Sequence, residues 1–235
     1  MEIRGSKVMV LGAYGEVGSA VARLIIRECP SKLVISSLRK EEVEEVKKEL
    51  SSCCEHPCDI VPYFGNLFFR EEMREKNLKE MSEEKDLFSI LEDNFCELNE
   101  DILSTSTLFK LITEHSPDIL IDCLNTASAL AYQDIYSLFG ELKKNEIDLK
   151  ASHLPFICKT FLAAGLPLLV RHVQILYEAL KRGNVKVYVK VGTTGTGGMG
   201  FNIPFTHGER VPSMLLMMKS ALAGAHSMLL YVMSK

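Results

Sequence analysis

The chain has no strong excess of either charge. Its formal net charge is −4 at pH 7, so it lacks the basic footprint that attracts phosphate backbones or anionic membrane surfaces. Neither nucleic acid nor a membrane is expected as a partner, and a small or phosphorylated substrate suits this balance better. No leader is expected either: "MEIRGSK" has no basic segment followed by an apolar one, which makes the cytoplasm the expected compartment. Apolar stretches such as 161–170 are too short or too interrupted to span a bilayer. Cysteine is present, but not as a scaffold. Seven cysteines, an odd number spread over 235 residues, suit reduced thiols. The densest group, "CCEHPC", brings together Cys53, Cys54, His56 and Cys58. Zinc sites draw ligands from two segments, and no second Cys/His cluster follows, so this run reads as a surface loop and no metal is expected.

Hydrophobic residues make up 47% of the chain, ample for a buried core, and residues 1–235 are read as one domain. Short apolar runs at 8–11, 33–36, 59–63, 119–123 and in "VKVYVKVGTT" alternate with helical patterns at 17–27, "RKEEVEEVKKEL", 128–142 and 167–181. Val43, Val46 and Leu50 form the inward stripe of the second pattern, and Gly183 stands where a helix would end. Strands alternating with helices predict an α/β fold, a doubly wound parallel sheet with right-handed crossovers. A charged, mostly helical stretch at about 68–114 is too long for an ordinary connection and is expected as an insertion between strands 3 and 4. "SMLLMMKSALAGAHSMLLYVM" is apolar on nearly every side, which predicts a buried or interface helix, with its methionines as adaptable filling.

Chemistry enters at the first turn. Gly12, Gly15 and Gly18 lie between a strand and a helix, where glycine lets the backbone turn sharply and approach a pyrophosphate. The free N–H groups of the helix start then point at its charge. At the end of the second strand, where an acid would accept hydrogen bonds from a ribose 2′-hydroxyl, the chain has "ISSLRK". Ser36, Ser37 and Arg39 offer donors and a positive charge instead, which favours NADP over NAD.

These features resemble the short-chain dehydrogenase/reductase family, in its extended, epimerase-like branch. "GNLFFREEM" is similar to the family's Gly-Asp-leucine stretch, with Asn66 in place of the acid that contacts adenine. "PDILIDCLNTAS" resembles the fourth-strand motif beside the cofactor ribose and nicotinamide. "VQILYEALKRGNVKVYVKVGTT" is similar to the helix and strand that lead to the catalytic serine or threonine. The resemblance implies a Rossmann-like sheet of order 3-2-1-4-5. It also implies a cofactor site made of Gly12, Tyr14, Gly15, Glu16, Val17, Gly18, Ser37, Arg39, Asn66, Leu67, Asn125, Thr126 and Lys219.

The family's active site uses a Ser/Thr to orient a carbonyl, a Tyr to move its proton, and a Lys four residues later that lowers the Tyr pKa and holds the ribose. Thr194 matches the first and Lys219 the last. Four residues before Lys219 stands Leu215, which has no proton to transfer. In "GTGGMGFNIPFTHGER", His207 is the expected substitute, since an imidazole works near neutral pH; its bland reading is a loop or solvent-facing histidine. Where the family continues into a substrate-closing region this sequence stops at Lys235, so either a homodimer through the last helices or a longer protein is expected to cover the fifth strand. The leading expectation is an NADP-dependent oxidoreductase with an atypical active site. The alternatives are a non-catalytic NADP-binding sensor or scaffold, and a sugar-nucleotide epimerase or dehydratase.

Overall fold

Five of the apolar runs become parallel strands. The computed structural model describes residues 2–53, 56–76, 84–124, 155, 157–159, 166–191, 224–226 and 228–233. Among them, β1 (Lys7–Leu11), β2 (Lys32–Ser37), β3 (Asp59–Phe64), β4 (Ile119–Asp122) and β5 (Val187–Lys190) form one sheet of order β3-β2-β1-β4-β5. The expected fold class and strand order are therefore observed. β1 to β4 lie within a residue of their expected bounds, and β5 takes only the middle of its expected run. Register pairs Val8 with Leu33 and with Ile119, and Leu11 with Ser36 and with Asp122.

Period-two alternation sorts the strands onto two faces. On one, Val8, Val10, Leu33, Ile35, Ile119 and Ile121 pack with Ala22, Ile25 and Ile26 of α1 (Glu16–Arg27) and with Val43, Val46 and Leu50 of α2 (Lys40–Cys53). The predicted stripe of α2 is thus its buried face. Met9, Leu11, Val34 and Leu120 point to the opposite face and are equally buried. A right-handed crossover from β3 to β4 runs against the β1-to-β3 direction, so its helices belong on that second face. There α4 (Glu100–Thr105) and α5 (Thr107–His115) bury Ile102, Leu103, Leu108, Leu111 and Ile112. Ser106 caps α5, its hydroxyl accepting from the Phe109 amide at 3.4 Å.

The chain divides into two compact units. The first comprises Met1–Lys76, Glu100–Asn125 and Ile175–Gly192, and holds the whole sheet; the second comprises Asn77–Asn99, Thr126–Gln174 and Thr193–Lys235. Of the stretch expected as an insertion, Glu100–His115 thus lies with the sheet, and α3 (Glu84–Phe95) lies in the second unit. In that unit Leu87 and Ile90 are buried, and the His172 and His226 rings meet edge to face at 5.9 Å. The last helical stretch exposes Met228, Tyr231 and Val232. Helix 128–142 lies outside the described residues.

α6 (Leu166–Arg182) ends where the sequence expects, with Gly183 directly after its last residue. Asn184, with φ 52°, takes the left-handed position, and the Val185 and Asn184 amides donate to the Leu180 and Lys181 carbonyls, closing a Schellman motif. Gly183 also serves packing: a Cβ there would lie 2.8 Å from the Ala179 carbonyl oxygen and 3.0 Å from Ile112. Among the described residues no helix is long and apolar enough to cross a membrane, and no cluster of His, Cys, Asp or Glu could hold a metal ion.

Candidate functional site

The C-terminal ends of β1, β2, β3 and β4 open side by side, and the turn after β1 is built on three glycines with three different reasons. Gly12 has φ 75°, the left-handed region, and a Cβ on it would press on the Cys123 carbonyl group at 3.2 Å. At Gly18 a Cβ would lie 2.0 Å from the Gly12 carbonyl oxygen, so the first turn of α1 closes on the loop only without a side chain. Gly15 is unlike both. Its φ of −59° suits any residue, and among the described residues a Cβ there would meet nothing closer than 3.7 Å. The fold requires Gly12 and Gly18; the openness at Gly15 leaves a bare backbone facing outward. That division matches the dinucleotide turn, in which one glycine makes the turn, one lets the pyrophosphate approach, and one lets the helix pack.

Gly15 caps α1 without any side-chain hydrogen bond, so the helix start offers its amides to an anion. Tyr14 and Val17 flank it, both exposed, and Glu16 lies in the first turn of the helix, also exposed. The turn is tied to β2 through the Ala13 amide, which donates to the Ser36 carbonyl at 2.8 Å.

At the β2 exit, Ser36 is buried and its hydroxyl has no hydrogen-bond partner among the described residues, and this burial removes it from the donors expected there. Ser37 is half-buried and Arg39 exposed. The Ser37 hydroxyl and the Arg39 backbone amide are already engaged: they donate to Glu42 Oε2 at 2.6 Å and 3.2 Å.

After β3, Gly65 adopts φ 130°, and Asn66 folds into a turn in which its Oδ1 accepts from the Phe68 amide at 3.0 Å. The Asn66 amide donates to the Arg74 carbonyl at 2.6 Å, and Leu67 is buried. Arg74 lies over the Tyr63 and Phe64 rings at 5.2 and 5.1 Å and pairs with Glu71. Tyr63 donates to Glu71 at 2.7 Å; burial, then this carboxylate, pushes the phenol up to about 12.

At the β4 exit lies a group that sequence reasoning missed. Asp122 is fully buried and accepts from the Leu124 amide at 2.9 Å, the Tyr188 hydroxyl at 3.0 Å and Lys190 Nζ at 3.0 Å. Lys190 also donates to the Leu124 carbonyl at 2.6 Å. The network fastens the segment that leaves β4, the same segment that touches Gly12. Burial and then the Asp122 carboxylate raise the Tyr188 pKa far above the usual phenol range, so Tyr188 is a neutral donor that holds structure rather than a proton source. The signal was there: Tyr188 and Lys190 are polar residues two apart in a strand, the spacing that shares one face. Asn125, Thr126, Thr194, His207, Leu215 and Lys219 lie outside the described residues.

A parallel sheet of order 3-2-1-4-5 with a glycine turn at its switch point decides the architecture. This is a Rossmann fold. No family model matches the chain, and no curated protein does. Solved Rossmann structures do. The L-sorbose reductase of Gluconobacter frateurii, complexed with NADPH and L-sorbose, is 11% identical with a TM-score of 0.46, over 99% of this chain and 64% of that one. A 3-oxoacyl (acyl-carrier-protein) reductase from Agrobacterium tumefaciens with NADP bound is 11% identical with a TM-score of 0.48, again over 99% and 64%. A short-chain dehydrogenase from Sphingobium yanoikuyae in complex with NADPH is 14% identical with a TM-score of 0.42, over 95% and 61%. The chain thus spans less than two thirds of each of these proteins. At such identities the likeness adds nothing to what the sheet order already establishes.

Proposed function

We propose that the chain is an NADP-dependent oxidoreductase of the short-chain dehydrogenase/reductase type with an altered proton donor. The observation that carries this reading is the open Gly15 between two glycines that the fold itself demands. A dinucleotide fits that cradle: the pyrophosphate lies over Gly12 to Gly18 at the start of α1, the crevice where ligands of open α/β sheets bind. Tyr14 and Val17 wall it with exposed apolar surface. Asn66 and Leu67 border the adenine side, Ser37 and Arg39 the 2′-phosphate, and Asn125 and Thr126 the nicotinamide ribose. When bound, the nicotinamide supplies the hydride. Thr194 orients the substrate carbonyl, Lys219 holds the ribose, and His207 moves the proton that Leu215 cannot.

The glycines separate binding from folding. Gly15→Val is expected to weaken NADPH binding at least about tenfold in a calorimetric titration, since its side chain fills the approach of the phosphates. Its stability should fall by only about 1 kcal/mol, since valine is a poorer N-cap than glycine. Gly18→Ala should cost about 3 kcal/mol or more in urea, because backbone would have to move. Unchanged NADPH affinity in Gly15→Val would remove the cradle from the proposal.

Leu215 favours a second reading, a dinucleotide-binding sensor without turnover. Under it, NADPH binds but is not oxidised across a panel of aldehydes and ketones, and His207→Ala changes nothing. A carbonyl-dependent loss of absorbance at 340 nm that His207→Ala abolishes would leave the enzyme reading alone.

A further inference from the structure

The slot after β2 already contains an anion of the protein's own. Glu42 is the third residue of α2, and its carboxylate reaches back to the amide of Arg39, the residue just before the helix. That is the return half of a capping box. The same oxygen, Oε2, also takes the Ser37 hydroxyl at 2.6 Å. Glu42 and Ser37 are both half-buried, so the contact is shielded from bulk water more than a surface pair would be. The two donors that a 2′-phosphate would use on this strand end are thus committed to one carboxylate.

We propose that Glu42 is a cofactor-specificity residue that competes with the 2′-phosphate of NADP and accepts the 2′-hydroxyl of NAD. The inference rests on the dinucleotide reading above. A phosphate monoester carries nearly two negative charges and only accepts hydrogen bonds at neutral pH. It reaches Ser37 Oγ and the Arg39 amide only when the carboxylate swings out, which gives up the helix cap. A ribose hydroxyl is a donor. An ionised carboxylate has about four acceptor positions, and the described residues use two of those on Glu42, so a hydroxyl joins the arrangement without displacing either donor. Arg39 and Glu42 therefore pull cofactor choice in opposite directions: the guanidinium toward a phosphate, the carboxylate toward a hydroxyl. Helix capping explains why a carboxylate stands here; competition is what that placement does to a ligand.

The test is calorimetric titration of the parent, Glu42→Gln and Glu42→Asp with NADP and with NAD, alongside urea unfolding without ligand. Glu42→Gln keeps an acceptor for the cap and removes the charge. It should raise NADP affinity relative to NAD by about tenfold, since a like charge is removed from the phosphate position. Glu42→Asp keeps a charge in the first turn, where it suits the helix dipole, and withdraws it from Ser37 by one methylene. It should move the ratio the same way by less, and it remains informative if the glutamine variant does not fold. Equal weakening of both cofactors, or an unchanged ratio with both still bound, overturns the inference and leaves Glu42 a helix cap only. Failure of the parent and both variants to bind either dinucleotide overturns the dinucleotide reading and this inference with it.

Discussion

Asp122 concentrates three donors on one carboxylate that no water reaches. An asparagine there keeps the shape but offers one acceptor oxygen, and turns an amide N–H₂ toward an ammonium or a hydroxyl that also donates. Breaking a buried pair leaves the partner charge uncompensated, at roughly 3–5 kcal/mol. Lys190 keeps a side-chain exposure of 20% and can turn partly to water, so Asp122→Asn is expected near the lower figure, read as a loss in urea-derived stability. A loss below about 1 kcal/mol would show that the network contributes little beyond shape. Such side-chain networks were the least legible part of the sequence. Asp122 and Tyr188 stand 66 residues apart, and nothing local in "PDILID" says which strand will lie beside it. Glu42 is different. Its partners are within five residues, and a glutamate at the third position of a helix is a readable capping signal.

Among the elements, the strand entrances are joined by Asp118. Its Oδ2 accepts from the Lys7 amide at 2.9 Å and its Oδ1 from Lys186 Nζ at 2.5 Å, linking β1 to the approach of β5. The Lys186 hydrogen bond first, and the Lys7 amide second, hold this carboxyl below the usual carboxylate range. A depressed folded-state pKa contributes stability that is fully present above the unfolded value of about 3.9 and is lost as pH falls through the folded value. Parent and Asp118→Asn should therefore differ in unfolding free energy at neutral pH and converge in acid below about pH 4. A constant difference across that range would detach the effect from titration. Elements were well legible where one period rules a whole segment. The α2 stripe of Val43, Val46 and Leu50 repeats at helical spacing, and each β-run is continuous because both sheet faces are covered. Termini were partly so: the helix ends at Gly183 as the sequence suggests, but the left-handed residue is Asn184, and the neighbour that leaves no room for a side chain at 183 is Ile112, a residue of another helix.

At the scale of the whole molecule, the sheet-bearing unit is assembled from three separate stretches of chain. Its central strand β1 has β2 as a near neighbour in sequence on one side, but on the other it pairs with β4, where Val8 meets Ile119. About a hundred residues lie between them, and non-local pairing of this kind slows folding. During synthesis at about 5–20 residues per second, one edge of β1 stays without its partner for roughly 5–20 s. Ribosome-stalled chains that expose β1 to β3 alone should be cut by protease within β1, and chains that also expose β4 should resist there. Equal cutting in both would mean that β4 does not complete the sheet. Met9 and Val10, wholly hidden in the finished protein, are thus on view for a time set by decoding, and slow codons between β3 and β4 would lengthen the period in which a chaperone or a second nascent chain can reach them.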